Sequence, residues 1–200
     1  FYLPLAGSTF KKTYFDEAMN RVVSKFVPVE NLVVPYETSD LETCPNITQV
    51  VRMSLNDLRK NQISGFYRDV EVMPAQKDLT SVNEETNRIE GVEPSQIDYD
   101  CTLLECHVDL DLEGYEDMDE DGDPTGIKVP YVVTLSADNG QVLSIRRNYA
   151  EDDENRKKIQ YFTHFKFLPG FGFYGLGLIH TIGGLSRTAT AALRQLIDAG

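Results

Sequence analysis

Cysteine is scarce in this chain. Cys44, Cys101 and Cys106 are the three present in 200 residues, an odd number without CxxC spacing. Such a set builds neither a zinc framework nor a complete disulfide framework. Cys101 and Cys106, five apart on an expected strand, fall on opposite faces, and all three read as reduced core residues of a cytosolic product. In that setting the Asn46-Ile-Thr sequon carries no weight.

Long apolar runs are missing as well. The most apolar part, Phe162 to Leu185, is broken by His164, Lys166 and repeated glycine, so nothing approaches the length that crosses a bilayer. Positive charge is in short supply: 19 Lys and Arg stand against 32 Asp and Glu, a net charge of −13. Non-specific attraction to nucleic-acid phosphates is therefore disfavoured over most of the surface. A surface past which DNA must slide would nonetheless gain from being repulsive. The chain also lacks G-x-S-x-G and P-loop motifs, and His107, His164 and His180 stand isolated, as packing or hydrogen-bonding residues. Without a nucleophile constellation a hydrolase is the weakest reading. No repeat of fixed period is present.

With 41% apolar and 26% charged residues, the composition is that of an ordinary globular protein of one large or two small domains. The chain opens on Phe1-Tyr-Leu-Pro-Leu and closes on Gly200 just past an expected helix, which reads as an excised piece of something longer.

The C-terminal run organises the rest. Pro169 to Gly175 alternates glycine with Phe171, Phe173 and Tyr174, a tight connection whose aromatics pack sideways. From there Leu178, Ile182, Leu185, Ala189, Ala192 and Leu196 recur at steps of four and three, the period of a helix with one covered stripe. Arg187, Arg194 and Gln195 fall between them. A helix from about Gly177 to Ala199 carries Gly183-Gly184 inside it, at about 1 kcal/mol per glycine unless another backbone approaches there. It is either an ordinary core helix or one that packs against copies of itself.

Elsewhere strands dominate. Thr9–Phe15 and Arg21–Val27 predict a hairpin around a polar turn, and Pro28 disfavours the helical alternative. Glu30–Tyr36 predicts a strand, and Ser54-Leu-Asn-Asp57 predicts an N-cap for a helix over Leu55–Ser64 before Gly65. Met73–Gln96 is polar, with a polar helix around Val82–Glu90. Tyr99–Leu112 predicts a strand with Thr102, Leu104, Cys106, Val108, Leu110 and Leu112 on one face. Asp138-Asn-Gly140 joins Tyr131–Leu135 to Val142–Tyr149, and a last strand covers Ile159–Phe167. The fold class is α+β, antiparallel hairpins and strands with two main helices, the longer at the C-terminus.

Between Glu105 and Asp123 stand ten carboxylates and no Lys or Arg. Asp117, Asp119, Asp121 and Asp123 with Gly122 reproduce the start of an EF-hand Ca²⁺ loop, but Lys128 replaces the bidentate glutamate and strands flank the loop. The readings are a solvated hairpin tip or a Ca²⁺ site. Arg146, Arg147, Arg156, Lys157 and Lys158 form either a surface salt-bridge network or a phosphate-contacting strip.

Several segments together resemble one family. Gly7-Ser-Thr-Phe-Lys-Lys-Thr-Tyr-Phe-Asp16, Phe26-Val-Pro-Val-Glu-Asn-Leu-Val-Val-Pro-Tyr36 with Asp40-Leu-Glu, Arg52-Met-Ser-Leu-Asn-Asp-Leu, and Phe167 to Ala199 are similar to the portal proteins of short-tailed bacteriophages. The resemblance implies a non-enzymatic subunit of a homo-oligomeric, usually dodecameric, head-to-tail connector at one capsid vertex of the virion. Its partners are terminase, head-completion or tail-adaptor proteins and the double-stranded DNA passing through its channel. It implies a wing-like segment over 1–72, a linker or surface excursion over 73–98, a wing- or clip-like segment over 99–167, and a turn with a stem-like helix over 168–200. Subunit packing would then fall to Leu178, Ile182, Gly183, Gly184, Leu185, Ala189 and Leu196, and DNA contact to Arg146, Arg147, Lys157, Lys158, Arg187 and Arg194. The alternative is a calcium-stabilised, β-rich binding module.

Overall fold

The computed structural model describes residues 1–16, 20–72, 100–118, 122–150 and 152–199. The chain divides into two units, Phe1–Ile47 with Ile159–Gly200, and Thr48–Lys158. The expected polar excursion Met73–Gln96, with its helix at Val82–Glu90, lies outside the described residues.

The first unit begins with a short helix that the sequence did not announce, α1 (Tyr2–Ala6), closed by Gly7 at φ +85°. The hairpin follows as predicted: β1 (Ser8–Asp16) pairs antiparallel with β2 (Arg21–Val27), turning at Asn20. After Pro28 the chain makes one 3₁₀ turn, Val29–Asn31, and then β3, which is only Leu32–Val33. The strand expected over Glu30–Tyr36 is thus cut to two residues; Pro35 has no N–H for a ladder and instead accepts a turn bond from Thr38 N at 3.1 Å.

The last strand of this unit, labelled β8 below in chain order (Phe162–Lys166), pairs with β1, giving the order β2-β1-β8. It is shorter than the expected Ile159–Phe167. One face of the sheet is dry: Phe10, Val27 and Phe162 join Leu32, Leu41, Cys44, Ile47 and Phe173 in a core. Gln160 Nε2 ties that core to the Leu41 carbonyl at 2.7 Å. The other face carries Lys11, Thr13, Phe15, Val22, Ser24 and Phe26, all exposed.

The strand β4 (Asn46–Ser54), also unannounced, carries the chain into the second unit. It runs directly into α2 (Leu55–Ile63), where Ser54 Oγ accepts from Asp57 N at 3.1 Å as the cap predicts. Beyond it β5 (Asp100–Leu110), β6 (Val129–Ser136) and β7 (Val142–Arg147) follow, and the strands lie in the order β4-β5-β6-β7. Gly140, at φ +67°, makes the β6–β7 turn possible.

The strand β5 is covered on both faces. Cys101 and Leu103 join Leu58, Tyr67, Val72 and Leu143 in one cluster, while Val108, Leu110 and Leu112 pack on Val129, Tyr131 and Val133. The more deeply buried face is the one with Cys101, Leu103 and His107, opposite to the face shared by Leu104, Cys106 and Val108. Alternation is a poor guide when both sides are dry. All three cysteines remain thiols. The long C-terminal helix, α3 (Leu178–Ala199), matches its expected bounds and returns to the first unit.

Candidate subunit interface

The helix α3 is rooted in a backbone joint. Leu168 and Leu176 exchange main-chain bonds across the Pro169–Gly175 turn, at 3.3 and 2.7 Å. Within it Phe173 turns into the core, 5.9 Å from the Phe10 ring, while Phe171 is fully exposed. Gly175 N donates to Ser8 Oγ at 2.7 Å. The neighbouring glycines allow contact that no side chain would permit: a Cβ on Gly177 would stand 2.1 Å from Leu5 O, and one on Gly175 2.5 Å from Gly7 O. This was illegible in the sequence, since the glycine alternation showed a turn but not its partner near the start of the chain.

Two of the three histidines belong to that joint. His164 lies against Phe10 and Phe173, with ring centroids 4.5 and 4.7 Å away, and its Nε2 meets Ser8 Oγ at 3.1 Å. Burial, aided by the Lys166 ammonium, lowers its pKa to about 4. Ser8 is fully buried and His164 half-buried, so the contact is part of the joint's packing. His180 Nδ1 accepts from Gly177 N at 3.1 Å, the return half of a capping box at the start of α3. The third, His107, is buried on β5 with Nε2 2.7 Å from Glu105 Oε1. Packing and hydrogen bonding account for all three.

The predicted stripe of α3 is present, and none of the described residues covers it. Every residue from Leu178 to Ala199 is exposed, Leu185 by 72% and Leu196 by 70%. The apolar arc is also wider than the stripe read from the sequence. At 100° per residue, Ile179, Leu193 and Ile197 extend it on one side, to within about 60° of Arg194. Thr188 and Thr190 return their hydroxyls to the carbonyls of Gly184 and Ser186, at 3.1 and 2.9 Å, so little polar demand is left on the helix. Nothing lies within 4 Å of a Cβ built on Gly183 or Gly184. Their cost is not recovered among the described residues.

The basic residues do not form one cluster. Arg146, Arg147, Lys157 and Lys158 belong to the second unit, Arg187 and Arg194 to the first. Arg146 lies over the Phe66 ring at 4.4 Å, and the Lys157 main chain donates to Asp153 Oδ2 at 2.9 Å. In the acidic loop Asp117 is buried, with one oxygen paired to Arg156 and the other accepting from Thr125 Oγ1 at 2.9 Å. Asp119 and Asp121 lie outside the described residues, and Asp123 closes the loop near the Met118–Pro124 bridge. Among the described residues no group of three His, Cys, Asp or Glu stands close enough to hold a metal ion.

No helix among the described residues is long and apolar enough to cross a membrane. No curated protein matches the sequence. A family model described as the phage SU10 portal protein matches residues 8–199, nearly the whole chain, and the chain belongs to that portal protein family.

Proposed function

We propose that this chain forms part of the wall of a portal ring at one capsid vertex, with α3 as the element that seals one subunit against the next. Its role is structural. The channel so enclosed passes double-stranded DNA during packaging and ejection, and the ring's ends dock terminase and head-completion proteins. Arg187 and Arg194, seven residues apart on the side of α3 away from the apolar arc, are free to face the channel when that arc is buried.

The observation that carries this reading is the uncovered apolar arc on a 22-residue helix in a chain of a portal family. Each leucine or isoleucine moved from water into a neighbour contributes about 1.5–3 kcal/mol, which is ample drive for association. Gly183 and Gly184 lie outside that arc, on either side of the Arg187 direction, so their use is a contact other than this seal, where another neighbouring backbone comes close.

The test is negative-stain electron microscopy with native mass spectrometry on the protein at the full length its gene encodes. Rings with an axial hole are expected, and Leu185→Asp gives monomers while Ala191→Asp, on the opposite side of α3, leaves rings. Rings that survive Leu185→Asp overturn the assignment of α3 as the seal.

A further inference from the structure

The charge of the chain is divided unevenly. The unit Phe1–Ile47 with Ile159–Gly200 carries seven Lys and Arg against seven Asp and Glu; the unit Thr48–Lys158 carries twelve against 25. The whole net charge of −13 therefore resides in the second unit. Five of the seven cations of the first unit, Lys11, Lys12, Arg21, Lys25 and Lys166, stand on the strands of its sheet, against Asp16 as the one acid there among the described residues.

The outer face of that sheet is apolar around a cation. Lys11 is paired in register with Phe26 on one side and Thr163 on the other, and its ammonium lies 5.9 Å above the Phe165 ring. Phe15 is paired with Val22 four rungs along, beyond the Thr13–Ser24 pair. Phe15, Val22 and Phe26 are 56%, 66% and 53% exposed, large apolar side chains at both ends of one sheet face. Exposure of several large apolar side chains on one face marks a surface that is covered in the assembled state.

The second unit offers a matching surface. Where β5 ends, Asp111, Glu113 and Glu116 alternate with exposed Tyr115 and Met118, and no Lys or Arg occurs between Glu105 and Asp123. Main-chain N–H groups of Gly114 and of Glu116 itself bond the Glu116 carboxylate, which keeps it ionised. One surface is apolar with a central lysine, the other apolar with carboxylates.

We propose that the outer face of the β2-β1-β8 sheet, centred on Lys11, Phe15, Val22 and Phe26, docks onto the Asp111–Met118 loop of the adjacent copy. Two different patches on identical chains make a head-to-tail contact, which closes into a ring when the rotation permits. The apolar side chains supply the affinity, and the lysine and carboxylates set register and reject the reverse pairing. This inference rests on the ring reading above, and names a second contact of the same ring, distinct from α3.

A charge exchange tests it in the full-length protein. Lys11→Glu and Glu113→Lys are each expected to raise the concentration for half-assembly about tenfold. Thr163→Glu, in register beside Lys11, is expected to act in the same direction. The Lys11→Glu/Glu113→Lys double variant is expected to recover assembly to within a few-fold of the parent. All these positions are exposed, so thermal melting of the variants should match the parent. Single reversals that leave assembly and its salt dependence unchanged, or a double variant as weak as the product of the singles, overturn the docking. Absence of rings in the parent protein counts instead against the ring reading itself, so the two claims fail separately.

Discussion

Gly7 and Gly177 occupy one another's side-chain space. A Cβ built on Gly7 would lie 2.5 Å from Gly177 N, and one on Gly177 would lie 2.5 Å from Gly7 N. Two segments 170 positions apart are thus pressed together backbone to backbone, with Ser8 and Gly175 hydrogen bonded alongside. The start of α3 leaves the first unit in a direction set by main-chain packing, which has few degrees of freedom compared with a side-chain contact.

Substitution at this joint should be costly. In Gly177→Ala the methyl group meets the Leu5 carbonyl at 2.1 Å, which backbone atoms cannot relieve by a rotamer change. We expect a loss of more than about 2 kcal/mol, since overpacking against main chain is among the mechanisms that give large effects. Gly7→Ala should be at least as damaging, because φ +85° adds strain to the overlap. Denaturant melts of the two variants decide the matter; midpoints equal to the parent's would contradict the joint.

Local signals were readable in the sequence where one short segment carried them. Asn139-Gly140 placed the β6–β7 turn, Ser54 with Asp57 placed the start of α2, and Pro28 stopped β2. Features that depend on distant partners were not readable. The helix α1 contains Pro4 and has no side-chain cap, and β4 mixes Asn, Gln and Arg among its apolar residues, so neither announces itself. Which face of β5 is the more deeply buried was not readable because both are covered, and the Ser8–Gly175 contact needed the fold before it could be seen. For α3 the apolar period was legible, whereas the width of the arc, with Ile179, Leu193 and Ile197, emerged once the whole helix was seen to be exposed.

Stability should fall in acid through His164. Its folded-state pKa is depressed from 6.5 to about 4 by burial between the Phe10 and Phe173 rings, with Lys166 adding to the shift. The unfolded chain binds the proton first, so stability is fully present above 6.5 and declines as the pH drops towards 4. His164→Phe keeps an aromatic ring in place and removes the titration. Thermal melts across that window should show a smaller acid decline in the variant than in the parent; identical slopes would mean that other groups carry the effect.

Asp117 and Arg156 pin the acidic loop to the segment before β8. The carboxylate is buried and its two oxygens are engaged by Arg156 and Thr125, so a cation would have to displace the guanidinium. Calorimetry with Ca²⁺ is therefore expected to give no saturable heat. Arg156→Gln should destabilise the fold by about 2 kcal/mol, because a buried carboxylate is left with a weaker partner. Saturable heat abolished by Asp119→Ala and Asp121→Ala would reverse this and restore the calcium reading.

Gly183 and Gly184 give the clearest separation between folding of the chain and assembly of the ring. In the single chain both have ordinary φ and open space around a built Cβ, so Gly183→Ala/Gly184→Ala should raise helix stability by about 1 kcal/mol per site. If a neighbouring backbone crosses α3 there, the same two methyl groups hold it away and weaken the ring. The expected outcome is a higher melting temperature for the unassembled chain together with fewer intact rings by native mass spectrometry. Rings as abundant as the parent's would place the crossing elsewhere on the helix, and the pair would then have to be explained by a bend in α3.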